Sequence, residues 1–241
     1  MGPDLALQRV LDRVELVSNI GEPDKGTACV MSLVAYLAGD GRTDRPGCAS
    51  ALVRHFVIPV NDGMPREARK RLKPFAPRIV GTNDGLDRAR AEVLRRALVE
   101  VILPRASGDR QAHSPDGPAR RAGPFRRLWI GLLRGNLLRH VGRLLGEAVG
   151  SDGGPGREAE LASAAGHLLA LCARDAADAR EAEWYWGQSI GILDRLCEVG
   201  GQRRWGAAGA PAESPAPGSD SLTAVQGAAQ DRGRPLQPPS G

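Results

Sequence analysis

The sequence predicts an all-α protein, with a single domain of about seven helices over residues 1–205 and a disordered tail over 206–241. Three observations carry this reading. Apolar side chains recur at spacings of three and four through most of the first 205 residues, the period of a helix with one buried face. No convincing set of alternating strand segments accompanies them. After residue 205 the chain turns to Ala, Gly, Pro and Ser, with too few apolar side chains to offset the entropy of ordering.

In chain order, Leu7, Val10, Leu11, Val14 and Val17 mark an amphipathic helix from Pro3 to Ile20, stopped by Gly21-Glu22-Pro23. Thr27 is placed to cap a second helix, TACVMSLVAYLAG. Its small and apolar residues on nearly every side predict burial, and Gly39 predicts its end. A third helix begins after the connection DGRTDRPGC and is expected to end near Pro59, because proline disfavours helical geometry in the residue before it. Val57, Ile58 and Val60 leave a short strand open there. Asn61-Asp62-Gly63 reads as a turn, Pro65 as the start of a basic helix PREARKRLK, and PFAPRIVGTNDG as an irregular stretch. A long helix follows from about Leu86 to Leu103.

Residues 105–124, RASGDRQAHSPDGPARRAGP, have no apolar period and read as a mobile loop. The helix after it carries a stripe of Ile130, Leu133, Leu137, Val141 and Leu144, with Trp129 expected in the core where the stripe begins. Gly131, Gly135, Gly142 and Gly146 gather within about 60° on its side, a smooth strip that a second helix could approach closely. A helix from about Arg157 to Ala179 leads into EWYWGQSIGILDRLCEVG, which ends at Gly200. Neither side of the 105–124 loop alone has enough apolar faces to close a core, so one domain is preferred to two.

The bulk properties narrow the function classes. The longest apolar runs are broken by Arg, so no span of about 20 apolar residues crosses a membrane. The first residues alternate acids, bases and apolar side chains without signal-peptide order, an expectation of a cytoplasmic protein. Cys29, Cys48, Cys172 and Cys197 form no Cys-x-x-Cys pair, and the four histidines are not spaced as ligands. Reduced thiols, no metal and no cofactor are therefore expected. Nucleotide and hydrolase loops of the Gly-rich, Walker and Gly-x-Ser-x-Gly kinds do not occur.

Net charge is +5, distributed as −2 over residues 1–64, +5 over 65–104, +7 over 105–146, −4 over 147–205 and −1 in the tail. A basic middle between acidic flanks predicts either a surface for a phosphate-bearing partner or segments of opposite sign docking on each other; the second is favoured. Arg outnumbers Lys by 30 to 3, as in GC-rich bacterial genomes, so the high pI is weak support for nucleic acid.

The run ACVMSLVAYLAGDGRTDRPGCAS…VNDGMPREARKRLKPFAPRIVGT resembles a family of uncharacterised actinobacterial helical proteins. The shared features are Cys29 and Met31 in one helix, Gly39 after it, the connection Asp44 to Cys48, the pair Asn61-Asp62, and Pro77 to Thr82. The resemblance covers roughly residues 26–82, more loosely the ending W…SIGILDRLCEVG, and implies no known activity or cofactor.

Three function classes remain, led by a binding or interaction module engaging a protein partner or a second copy. Trp184, Tyr185 and Trp186 are its interface candidates, because successive helical positions point in different directions and one of the three should be exposed. The second is nucleic-acid binding by the basic region 66–143, with Arg120, Arg121, Arg126 and Arg127 beside Phe125 and Trp129. A basic helix lying on a membrane surface is disfavoured. The third is an enzyme centred on Asp44, Arg45, Cys48 and Asp62. In that reading Cys48 sits in the first turn of a helix, where the dipole and Arg45 lower a thiol pKa, although capping by Asp44 explains much of the stretch without chemistry.

Overall fold

The computed structural model describes residues 3–22, 25–108, 124–147 and 155–200, and the architecture is mainly helical. Helix α1 (Pro3–Arg13) stops earlier than its periodicity predicts, because the chain extends into strand β1 (Glu15–Leu16). Beside it runs β2 (Thr27–Ala28), parallel, with Glu15 opposite Thr27 and Leu16 opposite Ala28. The connection folds tightly enough that a Cβ on Gly21 would lie 2.6 Å from the Ala28 Cα, and its φ of 74° suits glycine as well.

Thr27 therefore sits in a strand rather than capping α2 (Val30–Ala38), and the cap is Cys29. The helix is otherwise as its composition predicts. Val30 through Ala35 are buried, and Gly39, at φ 78°, ends it while Asp40 N–H returns to the Ala35 carbonyl.

Helix α3 (Ala51–Gly63) does not end at Pro59 and leaves no strand at residues 57–60. Its partner α9 (Pro155–Arg174) supplies the reason. A Cβ on Gly166 would stand 2.5 Å from the Phe56 carbonyl oxygen and 3.1 Å from Pro59 Cγ, and one on Gly63 would stand 2.6 Å from Ala170 Cβ. The two backbones touch closely along both glycines, and the buried face Leu52, Val53, Phe56, Val57 and Val60 outweighs the single hydrogen bond that Pro59 cannot make.

After α3 come α4 (Arg66–Arg69), a 3₁₀ stretch over Lys70–Phe75 and α5 (Ala76–Ile79), single turns broken up by Pro74 and Pro77 where the sequence predicted one basic helix and an irregular run. Helix α6 (Asp87–Ala97) continues through a π turn (Leu98–Ile102) into α7 (Leu103–Gly108). The wide turn immediately precedes Pro104, whose ring has no N–H and would press on the carbonyl four residues back. Helix thus claims residues 105–108 of the stretch read as a loop; 109–123 lie outside the described residues, as does the tail.

Helix α8 (Pro124–Glu147) packs on α9, and α10 (Ala179–Glu198) completes the core. The break between α9 and α10 is chemically marked. Asp178 caps α10 by accepting the Glu181 N–H at 2.8 Å, and Glu181 reaches back to the Ala177 N–H at 2.6 Å.

Two polar clamps hold this frame. The fully buried Arg90 guanidinium bonds both oxygens of Asp84 at 2.6 and 2.8 Å, Asp87 at 3.2 Å, and the carbonyls of Leu196 and Val199 at the end of α10. Ser50 caps α3, accepting the Val53 N–H while its hydroxyl donates to Asp87, and its own N–H donates to Thr82 Oγ1. The hydroxyl of Thr82 in turn donates to the Ile79 carbonyl. The Pro77 to Thr82 stretch and the second Asn-Asp-Gly turn are thereby structural fasteners.

Candidate functional site

The connection TDRPGC is not organised as its sequence predicts. With Ser50 as the cap, Asp44 caps nothing, and Cys48 lies before α3 instead of in its first turn. The loop is pinned by Asn83, whose side-chain amide donates to the Gly47 carbonyl at 2.8 Å and whose N–H donates to the Cys48 carbonyl at 3.0 Å. Burial pushes the Cys48 thiol above its usual pKa; a backbone hydrogen bond from Gly81 acts the other way, and the negative charge of Asp40 adds to the rise. The thiol is thus held protonated, opposite to what a nucleophile needs. Arg45 is exposed and contributes positive charge near His55. Arg78 pairs with Asp194 at 2.5 Å and covers the Phe75 ring.

The cysteine that does join Asp44 and Asp62 is Cys29. These three, with Asn19, Ile20, Val30, Ile58 and Asn61, line a cavity of about 250 Å³. Asn61 organises it from its buried position near the end of α3. Its Oδ1 accepts the Val30 N–H at 3.3 Å, and its Nδ2 donates to the Val17 carbonyl at 2.9 Å and to Asp62 Oδ1 at 3.1 Å. Asp62 Oδ1 also accepts the N–H of Asn19, whose φ of 69° makes it the non-glycine residue with positive φ among those described. Cys29 Sγ accepts the Ser32 N–H and lies 3.2 Å from the Ser32 hydroxyl. The first Asn-Asp-Gly is therefore helical, and its Asn and Asp serve as fasteners for the segment running from β1 to α2. The spacing Cys29-x-x-Ser32, a side chain three residues ahead of its donor, is the signal in the sequence for this cap.

Across Ile58 and Asp62, which border both spaces, lies a wider cleft of about 670 Å³ between α3, α8 and α9. His55, His140 and His167 line it, a gathering that their sequence positions gave no reason to expect. Among the described residues no group of three or more His, Cys, Asp or Glu is placed to hold a metal.

The aromatic cluster is largely internal. Tyr185 and Trp186 are buried and Trp184 is half-buried, so none of the three interface candidates is fully exposed; Trp184 meets Tyr185 edge-on while Arg105 covers its ring. Trp129 errs the other way, being 65 % exposed instead of core. Leu132 is exposed beside it at 57 %, and Leu133, 45 % exposed, borders the cleft. A Cβ added at Gly131, Gly142 or Gly146 would meet nothing within 4 Å among the described residues, while Gly135 of the same strip is half-buried.

The basic groups are mostly engaged by the chain itself. Arg66 pairs with Glu15, Arg71 with Glu183, Lys70 with Glu67 and Arg95 with Glu92, while Lys73 donates to the Leu11 carbonyl. Arg69 is buried and donates to the carbonyls of Leu16, Asn61 and Met64. Arg120 and Arg121 lie outside the described residues, as do the side chains of Arg126 and Arg127. No helix among the described residues is long and apolar enough to cross a membrane. No family model, curated protein or solved structure matches the chain.

Proposed function

We propose that this chain is an interaction module that docks through the outer face of α8 onto a protein helix, contributed by a partner or by a second copy. The observation that carries the reading is the pair Trp129 and Leu132, spaced i and i+3 and 65 % and 57 % exposed, with Leu133 beside them at the edge of the cleft. Such spacing is how a helix presents anchors to another apolar surface. Trp at the centre of a patch is the residue type that most often dominates binding energy. Arg139 and Arg143, exposed on the same helix, favour an acidic rim on the partner.

A catalytic reading finds less support, because the thiol near the predicted centre is held protonated and the one that joins the carboxylates caps a helix. A nucleic-acid reading needs free cations, and those of residues 66–73 are committed to carboxylates and carbonyls. Sedimentation velocity on the full chain distinguishes the two kinds of occupant: a concentration-dependent dimer abolished by Trp129→Ala with Leu132→Ala identifies a second copy. A monomer at all concentrations, with no partner retained by the wild type over the double variant, contradicts the proposal.

A further inference from the structure

The cleft between α3, α8 and α9 has a polarity pattern that specifies a ligand. Each helix contributes a stripe at i, i+3, i+4 and i+7: His55 to Asp62 on α3, Leu133 to His140 on α8, and Ser163 to Arg174 on α9, which runs one turn further. Pro59 faces Gly166 and Gly63 faces Ala170, so α3 and α9 run in the same direction. His140 lies 3.3 Å from Glu160 and Arg134 lies 3.9 Å from Asp175, so α8 runs opposite to α9. His55 and His140 consequently stand toward one end, Asp62 and Arg174 toward the other, with Ile58, Leu137 and Leu171 as apolar walls.

Which polar groups are available follows from their partners. His140 is occupied at both nitrogens, by Arg143 at 3.0 Å and by Glu160. Asp62 turns Oδ1 to Asn19 and Asn61, and so offers its charge partly to the neighbouring loop. His167 and Arg174 are exposed on the cleft side of α9 and make no hydrogen bond or ion pair among the described residues. Arg54 and Arg45 add positive charge around His55. The uncommitted capacity of the cleft is therefore the guanidinium of Arg174 and the imidazole of His167, with hydrocarbon between them and Asp62 turned partly to the neighbouring loop, in a volume within the range of small-molecule sites.

We propose that this cleft binds a free organic carboxylate with an apolar body, its carboxylate at Arg174 and His167 and its hydrocarbon between Ile58, Leu137 and Leu171. The test is calorimetric titration of the full chain with decanoate below its micellar concentration, with decanol and acetate as comparisons. Decanoate should bind saturably at one site. Arg174→Gln, a change at an exposed position checked for unchanged circular dichroism, should weaken it at least tenfold, and His167→Ala should weaken it by a smaller factor. Decanol and acetate should each bind at least tenfold more weakly, since each lacks half of the recognised chemistry. Absence of saturable decanoate binding overturns the proposal, as does equal affinity in Arg174→Gln or equal affinity for decanol. Binding kept in Arg174→Gln but lost in Trp129→Ala with Leu132→Ala would put the hydrocarbon on the outer face of α8 and overturn it as well.

Discussion

Cys48 and Cys29 show how far a residue's chemistry depends on its first few neighbours. Cys48 has the more suggestive sequence surroundings, an arginine three residues before it and a helix soon after, yet its thiol is half-buried near Asp40 and its pKa is raised. We expect iodoacetamide to modify Cys48 slowly at pH 7.5 and appreciably only above pH 9. Rapid labelling at neutral pH, mapped to Cys48 by mass spectrometry, would restore the catalytic reading.

Arg90 is a second residue whose effect can be bounded. It is 0 % exposed and holds the part-exposed Asp84 and Asp87 and two carbonyls of the α10 terminus, so Arg90→Ala removes a donor from those carbonyls and leaves its own buried site unfilled. A loss of about 2–4 kcal/mol in denaturant unfolding is expected. Burial alone would raise the Asp84 pKa, but the hydrogen bond and charge of Arg90 hold it below the usual carboxylate value. A carboxyl depressed in the folded state contributes stability that is present above its unfolded pKa and is lost as pH falls through the folded one. Wild-type stability should therefore drop below about pH 4, where Asp84 begins to protonate in the unfolded chain. The drop should be shallower in Arg90→Ala, and equal slopes would remove Asp84 as the cause.

Among elements, the α3–α9 crossing and the outer side of α8 make opposite use of glycine. At Gly166 an added methyl meets the Phe56 carbonyl oxygen at 2.5 Å, a backbone atom that cannot swing aside, so Gly166→Ala should cost about 1–3 kcal/mol although alanine is the better helix former. At Gly142 nothing lies within 4 Å, so Gly142→Ala should stabilise the isolated chain by up to about 1 kcal/mol. Thermal unfolding of the two variants checks both signs together.

The same elements show what the sequence could and could not convey. The buried character of α2 and its end at Gly39 were legible, because composition on every side and a left-handed terminator are local properties. The passage of α3 through Pro59 was not, because what overrides the proline is Gly166, more than a hundred residues away. Asn61 and Asp62 look like a turn for the same reason: their partners, Val17, Asn19 and Val30, are brought in only by the fold. In the candidate site, Asp44 and Asp62 were identified from sequence, but the thiol that joins them was assigned to the wrong cysteine. The gathering of three histidines in one cleft had no sequence signal at all.

For the whole molecule, the uneven charge finds its use inside the chain. Arg66 reaches Glu15, and Arg71 and Arg78 reach Glu183 and Asp194 on α10, so the basic stretch 65–104 is paired with the acidic flanks that precede and follow it. Each such pair is partly exposed and worth about 0–1 kcal/mol, enough to bias the arrangement of elements without dominating stability. Most apolar side chains of α2 to α7 and of α9 and α10 are spent on the common core, with Tyr36, Val99 and Val101 exposed. Helix α8 buries Val141, Leu144 and Leu145 near its end while exposing Trp129 and Leu132 and setting Leu133 at the edge of the cleft. Its stripe is therefore a core stripe for one half and a surface for the other.

The measurement that bears most directly on this account is site-specific photocrosslinking in the native cell from Leu132→benzoylphenylalanine on the outer face of α8, compared with the same group placed at Arg88 on α6. The account predicts a discrete protein adduct from position 132, lost when Trp129→Ala is added, and none from position 88. No adduct from position 132, or the same adduct from both positions, would contradict it.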